Sequence, residues 1–152
     1  MYPENNMNYE IPLPTHDDLG GFKNILHLKL TDPRSHRDSL ELMATYFKRE
    51  FKYDHLQYET SEHTAGFTGI LFLERAMDLV EDFDHYPNRV IGGAGFWKKT
   101  NGYILDWVWL HPFFRNRGNL KKHWPELRNK FGDFDVSPPV SSQMGKFLER
   151  NA

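Results

Sequence analysis

The stretch LHPFFRNRG, residues 110–118, decides the fold of this chain of 152 residues. A segment of alternating apolar and polar character ends at Leu110 and is typical of a β-strand, and a segment with helical spacing follows the stretch. Two arginines and a glycine lie between them. The order of strand, basic turn, glycine and helix places backbone N–H groups and cations where they can bind a phosphate. We therefore predict an α/β structure with an anion-binding loop at this point.

Periodicity predicts further elements before this loop. Alternation predicts a strand over residues 22–30, and apolar side chains at helical spacing predict a helix of about fifteen residues after Asp32-Pro33. We expect a strand from Gly66 to about Glu74, followed by an irregular acidic connection. A helix is the alternative for this segment, because its spacing also places four apolar residues on one helical face: Ile70, Leu73, Met77 and Val80.

Residues 90–110 are predicted to form a β-hairpin. Two alternating segments flank Thr100-Asn101-Gly102, and Asn-Gly supplies the positive φ angles of a tight reversal. The first strand contains three glycines, which predict a bulge or the close approach of another group: Gly92, Gly93 and Gly95.

The remainder of the chain predicts helix, short strand and helix. Four large apolar residues mark the first helix by their spacing: Leu120, Trp124, Leu127 and Phe131. Pro125 lies within that spacing and predicts that the helix kinks there or begins later than Gly118. A strand over 133–136 and a last helix capped by Ser141 or Ser142 follow. The whole order predicts an α/β, α+β-layered fold with a mixed central sheet flanked by helices, in which residues 1–20 form an N-terminal arm and residues 21–152 one domain.

Composition excludes several classes of function. The chain contains no cysteine, which excludes disulfides, thiolate nucleophiles and cysteine-based metal sites and suits a cytoplasmic protein. No run of apolar residues is long enough to span a membrane, and the N-terminus does not resemble a secretion signal. The histidines do not show the spacing of metal ligands, so we expect no metal site.

Charge is divided unevenly along the chain. Residues 54–86 hold eight acidic residues and a single basic one, Arg75, whereas residues 97–130 hold eight basic residues against Asp106 and Glu126. The basic segment could attract a phosphorylated ligand and the acidic segment a cationic one. Two solvated surfaces of opposite sign explain the same pattern equally well.

The region from about residue 89 to 150 resembles the coenzyme A-binding part of the GNAT-type N-acetyltransferase superfamily. In that superfamily a strand ending in Val-x-Pro precedes Arg/Gln-x-x-Gly-x-Gly/Ala at a helix start, and residues 110–118 follow this order. A second and weaker similarity lies in residues 132–141, GDFDVSPPVS, which resemble the Phe-Ser-x-Pro-Thr ending of the sister-chromatid cohesion acetyltransferases.

This resemblance implies a GNAT-like fold, acetyl-CoA as co-substrate and transfer of the acetyl group to a primary amine. The acceptor would be a small molecule or a protein lysine, and the acidic segment would admit a cationic one. The residues that match the coenzyme A loop, and that the resemblance implies as its binding site, are Leu110, Arg115, Asn116, Arg117, Gly118, Asn119 and Leu120.

The resemblance also implies catalytic roles. The backbone N–H of Leu110 would stabilise the charge that develops on the thioester carbonyl oxygen. Asp106 would be the general base, and period-two alternation predicts that it shares a face with Ile104, Val108 and Leu110. An ion pair with a lysine or arginine is the alternative role for Asp106. Ser141 would donate a proton through water, with helix capping as the alternative, because Phe147 lies where relatives often carry a tyrosine acid.

Two other functions compete with acetyl transfer. The first is a catalytically inactive GNAT-like module that binds acyl-CoA or a partner protein. The second, which the slightly negative net charge disfavours, is nucleic-acid binding through residues 97–130, whose aromatic side chains could stack on bases. The aromatic residues of this segment are Trp97, Trp107, Trp109, Phe113 and Phe114.

The sequence leaves the oligomeric state open.

Overall fold

A computed structural model describes residues 11–17, 24–76 and 87–151. Its six-stranded mixed sheet has the order β2-β3-β4-β5-β6, with β1 on the edge of β4. Strands β1 to β5 pair antiparallel, and β6 runs parallel to β5. The strands are β1 (Thr15–His16), β2 (Ile25–Leu28), β3 (Phe67–Arg75), β4 (Asn88–Lys99), β5 (Gly102–Leu110) and β6 (Asp135–Val136). The helices are α1 (Arg34–Phe51), α2 (Asn119–Phe131) and α3 (Ser142–Asn151). This arrangement confirms the predicted fold class.

Helix α1 covers one face of the sheet. Its buried side chains include Leu40 and Met43, which recur at helical spacing and pack with Trp107 and Trp109 of β5 in one hydrophobic cluster. A Cβ atom on Gly93 would lie 3.0 Å from both Leu40 Cδ1 and Met43 Cβ. The predicted close approach to the glycine-rich strand is therefore confirmed, and the approaching group is α1.

Helices α2 and α3 cover the opposite face. Phe131 of α2 stacks on Phe96 of β4, with ring centroids 3.9 Å apart. Trp124 of α2 contacts Phe147 of α3 edge to face, at 4.9 Å between centroids. These contacts belong to a second hydrophobic cluster, separated from the first by the sheet.

Helix α2 begins at Asn119, directly after Gly118, and continues through Pro125. The alternative prediction, a helix that begins later, is wrong. Proline removes the N–H that would donate to the Lys121 carbonyl oxygen. Pro125 is exposed, so water can reach that carbonyl and replace the lost bond.

A β-bulge interrupts the pairing of β4 and β5. Gly95 lies opposite Trp107 and Phe96 opposite Leu105, so Asp106 is an extra residue without a cross-strand partner. Leu105 packs in the second cluster and Trp107 in the first, although they are two positions apart. The bulge is confirmed. The predicted common face for Ile104, Asp106, Val108 and Leu110 is wrong, because alternation reverses at the extra residue.

Residues 11–17 lie against the sheet. The Val90 N–H donates to the Pro14 carbonyl oxygen at 2.9 Å, and the Tyr46 hydroxyl donates to the Pro12 carbonyl oxygen at 2.8 Å. The short strand β1, which sequence did not predict, extends this contact along β4. The predicted strand ending near Glu74 is confirmed as β3, and the acidic connection over 77–86 lies outside the described residues.

Candidate functional site

Strand β5 has an open edge near its C-terminal end. Strand β6 pairs with it only at Ile104 and Leu105, and no other described strand pairs with that edge. On the opposite side, the His111 N–H donates to the Ile91 carbonyl oxygen of β4 at 2.9 Å. Because N–H directions alternate along a strand, the N–H of Leu110 points to the open edge. Val108, two positions earlier, presents its N–H to the same edge.

A first cavity of about 690 Å³ lies between the end of β5, the start of α2 and α3. Its lining includes Gly118 and the first turn of α2. The first hydrogen bond of that helix runs from the Lys122 N–H to the Gly118 carbonyl oxygen at 2.8 Å. The N–H groups of residues 119–121 therefore precede the helical ladder and have no partner within it. This is the geometry that a helix N-terminus uses to bind anions.

The turn before α2 requires unusual backbone angles. Gly118 has φ +79° and Asn116 has φ +57°. A Cβ atom on Gly118 would meet no protein atom within 4 Å, so the left-handed conformation, and not crowding within the protein, demands glycine here. The Asn119 side-chain amide donates to the Phe114 carbonyl oxygen at 2.9 Å and holds the turn together.

Arg115 is committed to contacts within the protein. Its Nη1 and Nη2 donate to the two carboxylate oxygens of Glu50, at 2.6 and 2.5 Å, and its Nε donates to the Leu110 carbonyl oxygen at 2.7 Å. The guanidinium also lies 5.7 Å from the centre of the Trp109 ring. Three of its five N–H groups donate within the protein, so Arg115 ties the loop to α1 and its charge is paired with Glu50. Arg115 still lines the cavity, and its role as a phosphate ligand stays a prediction.

The environment of Glu50 keeps its carboxylate charged. Burial alone would raise the pKa of Glu50, but hydrogen bonds from Arg115 and Trp109, with the charge of Arg115, outweigh burial and lower it. The Trp109 Nε1–H donates to Glu50 Oε1 at 2.9 Å. Glu50 thus joins the end of α1, strand β5 and the loop in one contact network.

Arg117 does not line the first cavity. Its guanidinium lies 4.3 Å from the centre of the Phe113 ring on the exposed side of the loop. The cations other than Arg115 that line the cavity are Lys121 of α2 and Lys146 and Arg150 of α3. Sequence reasoning missed the last two. Their spacing of four positions, beside the apolar Met144 and Phe147, is the signal that could have identified them.

A second cavity of about 480 Å³ adjoins the first. The two share four lining residues: Phe51, Val108, Ser141 and Met144. Asp106 lines the second cavity, as do Tyr53 and His55. Burial raises the pKa of Asp106, and the neighbouring His55 and a hydrogen bond from the Trp97 side chain oppose the rise without cancelling it.

The two cavities differ in charge. Among the described residues, the lining of the first includes lysines and arginines and no carboxylate. That of the second includes the single carboxylate of Asp106 and no lysine or arginine. A polyanion is therefore favoured in the first cavity and a cation in the second.

Ser141 lies where the cavities meet. Its Oγ accepts a hydrogen bond from the Met144 N–H at 3.1 Å, so it caps α3. This is the capping role given above as the alternative to proton donation. Phe147 lines the first cavity, and no tyrosine is among the described residues of that lining.

The structure brings most of the predicted site residues together. Asp106 lies in the second cavity, Ser141 borders both and Arg117 borders neither. The predicted residues that line the first cavity are Leu110, Arg115, Asn116, Gly118, Asn119 and Leu120. The Leu120 side chain also packs against the second hydrophobic cluster.

The described residues give little support for a base-stacking surface, a metal site or a membrane span. Trp107 and Trp109 are each only 2% exposed, so they are not available to stack on nucleic-acid bases. The described residues contain no group of three or more side chains arranged to hold a metal ion. None of the helices in the described ranges is both long and apolar enough to cross a bilayer.

These features define a GNAT-like fold, and solved structures support this conclusion. The xEco2 acetyltransferase domain, bound to a CoA conjugate, is 8% identical, with 84% of this chain and 86% of that chain covered and a TM-score of 0.59. A GNAT-family protein from Bacteroides thetaiotaomicron is 15% identical, with 84% and 68% covered and a TM-score of 0.52. A probable acetyltransferase is 13% identical, with 84% and 87% covered and a TM-score of 0.53. No protein-family model and no curated protein sequence matches the chain.

Proposed function

We propose that this protein is an acyl-CoA-dependent N-acetyltransferase that acetylates a primary amine. The observation that carries the proposal is the pair of adjoining cavities with opposite charge at the open edge of β5. An acetyl-CoA-dependent transferase needs one site for a polyanionic co-substrate and one for a cationic amine, and both must open on the same reacting carbonyl.

The first cavity suits coenzyme A. Its volume of about 690 Å³ lies within the range of small-molecule and cofactor sites. The N–H groups of residues 119–121, aided by the helix dipole, would meet phosphate oxygens, and the dipole contributes about 0.3–1 kcal/mol. Lys121, Lys146 and Arg150 would supply the counter-charge. The CoA conjugate bound to the xEco2 domain supports this assignment.

The open edge of β5 is suited to bind the carbonyl group of the thioester. Acetyl-CoA supplies a thioester whose carbonyl oxygen gains charge when an amine attacks. The C–N bond would form and the C–S bond would break, and coenzyme A would leave as a thiolate that takes a proton from water. The N–H of Leu110 would donate to the carbonyl oxygen, and because it points to the open edge it is not used by β4. An oriented backbone donor of this kind stabilises the transition state without moving.

Asp106 is suited to accept the proton of the amine. An ammonium in the second cavity must lose a proton before it can attack, and Asp106 is the carboxylate that lines it. Asp106 and Leu110 are four positions apart, roughly 13 Å along the strand at about 3.3 Å per residue. A single water does not bridge this distance, so the proton would pass to Asp106 along a chain of water molecules beside Val108.

The second candidate is a catalytically inactive module that binds acyl-CoA. The presence of Phe147, with no tyrosine among the described residues lining the first cavity, favours it, since no phenol is placed there to protonate a departing thiolate.

One experiment separates these candidates. The melting temperature is measured against acetyl-CoA concentration, and release of free thiol is followed with a panel of primary amines. A saturable rise with thiol release supports the transferase, and a rise without release with any amine selects the inactive module. No rise at millimolar acetyl-CoA contradicts both.

The variant Gly118→Glu provides the specific test of the loop. Its carboxylate at the start of α2 would repel a phosphate, so the rise should disappear. Gly118→Asn is the matched control, because asparagine tolerates the left-handed conformation of φ +79° and ψ 7° and carries no charge. Equal loss of the rise in both variants would contradict the assignment of the loop.

A further inference from the structure

We propose that the second cavity selects a small primary amine whose body is apolar and carries no carboxylate. This inference rests on the proposed acetyl transfer and specifies its acceptor. It joins three observations on one cavity: aromatic walls, a single carboxylate with no lysine or arginine among the described lining residues, and a volume that holds a whole small molecule.

Aromatic rings form one wall of the second cavity. Phe47 and Tyr53 are stacked with their centroids 5.2 Å apart, and Phe47 also contacts Phe51 at 5.1 Å and Trp107 at 5.8 Å. All four residues line the cavity. Aromatic walls gain free energy when they bury an apolar body, and their ring faces attract an ammonium group.

Charge in this cavity favours an amine without an acid group. Asp106 is the one carboxylate of the described lining, and the imidazole of His55 lies near it. No described lysine or arginine lines the cavity, so a carboxylate on the ligand would lose its water and gain no counter-ion. It would also be repelled by Asp106. A free amino acid is therefore disfavoured relative to the amine of the same body.

The size of the cavity favours a complete small molecule. Its volume of about 480 Å³ lies within the range of about 300–1,000 Å³ that is typical of small-molecule sites. Pro138, Pro139 and Val140 form part of the lining, with Val136 on β6. The four methylenes of a lysine side chain would leave much of this space unfilled, whereas an aromatic or branched body would use it.

A matched series of amines tests the inference. 2-Phenylethylamine is compared with phenylalanine, which adds a carboxylate, with glucosamine, which has a polar body, and with a lysine-containing peptide. Binding is measured by calorimetry without acetyl-CoA, and kcat/KM is measured with it. We expect 2-phenylethylamine to exceed glucosamine and the peptide by roughly 10- to 100-fold, since a buried aromatic ring contributes this much to affinity. It should exceed phenylalanine by a similar factor of roughly 10- to 100-fold, since the carboxylate of phenylalanine would lose its water without gaining a counter-ion.

A variant of the wall localises the effect. Tyr53→Ser should raise the KM for 2-phenylethylamine roughly tenfold and leave the KM for acetyl-CoA unchanged, because Tyr53 lines only the second cavity. Leu30→Ser is the control, since Leu30 is a large apolar residue at the surface that lines neither cavity. An unchanged KM for the amine in Tyr53→Ser would overturn the inference.

The two binding measurements distinguish failure of the inference from failure of the proposed function. Equal or better use of phenylalanine, glucosamine or the peptide overturns the inference and leaves the transferase intact. If the protein binds acetyl-CoA but not 2-phenylethylamine, the inference about the acceptor is overturned and the proposed transferase is not. Binding of 2-phenylethylamine by a protein that does not bind acetyl-CoA supports the amine site and overturns the proposed transfer.

Discussion

The two cavities share a wall, yet they are built in different ways. The first is made by a turn and a helix start, so its donors are backbone N–H groups, with lysine and arginine side chains around them. The second is made by packed rings around one carboxylate. The comparison teaches that a phosphate site can be encoded by local chain geometry, whereas the amine site depends on segments brought together from Phe47, Asp106 and Pro138.

The largest effect is expected in the second cavity. Asp106→Asn should lower kcat/KM by roughly 10²- to 10⁴-fold, the usual contribution of a general base, while the KM for acetyl-CoA stays the same. Asp135→Asn is the matched control, since Asp135 lies on the neighbouring strand β6 and pairs with Lys99 at the surface. Steady-state kinetics on both variants check this. A loss confined to acetyl-CoA binding would contradict the assignment.

The pH dependence sharpens the same comparison. Burial raises the pKa of Asp106, and the carboxylate is the form that accepts a proton. Activity should therefore fall as pH decreases through this raised pKa. The kcat/KM profile of Asp106→Asn should lack this acidic limb. If the acidic limb of the profile persists in Asp106→Asn, a group other than Asp106 causes it.

An intermediate effect is expected in the first cavity. The double change Lys146→Glu with Arg150→Glu should weaken acetyl-CoA binding roughly 100-fold, because two charge-assisted contacts are replaced by repulsion. The loss should shrink as salt increases, since exposed charges are screened. Titration calorimetry at two ionic strengths measures both. Lys130→Glu, on an exposed position of α2 outside the cavity, should change affinity little.

The smallest effect concerns the support of the loop. Glu50→Gln should lower the free energy of unfolding by about 1–2 kcal/mol, because Arg115 loses its charged partner. The loss is limited because the Glu50 side chain is one third exposed and water screens its charge. The pKa of Glu50 is lowered in the folded state, so this contribution is present above the unfolded pKa and is lost as pH falls through the folded one. Urea unfolding at neutral and acidic pH checks this, and a difference that persists in acid would contradict it.

Local signals predicted most of the fold. The reversal at Thr100-Asn101-Gly102, the strand β3 and the helix starting after Gly118 each follow from neighbouring residues, and the structure contains all three. Strand β1 escaped prediction because two residues carry no periodicity, and its partner on β4 lies more than seventy positions away.

The candidate site was harder to predict from the sequence than the fold. The face of Asp106 depends on which strand carries the extra residue of the bulge, and this is decided by pairing and not by the local pattern. The ion pair of Arg115 with Glu50 joins residues 65 positions apart, so the sequence around Arg115 gives no sign of it. Arg117 has the same local context, but its guanidinium lies over Phe113.

The open edge of β5 has a consequence for handling the protein. The N–H groups of Val108 and Leu110 lie on an edge that no described strand covers, although Arg115 binds the Leu110 carbonyl oxygen, and this short edge is a template onto which a second chain can add. Concentrated protein should therefore self-associate in the ligand-free form, and a molecule seated along that edge should suppress the association. Preparations supplemented with coenzyme A would then stay dispersed where unsupplemented ones aggregate.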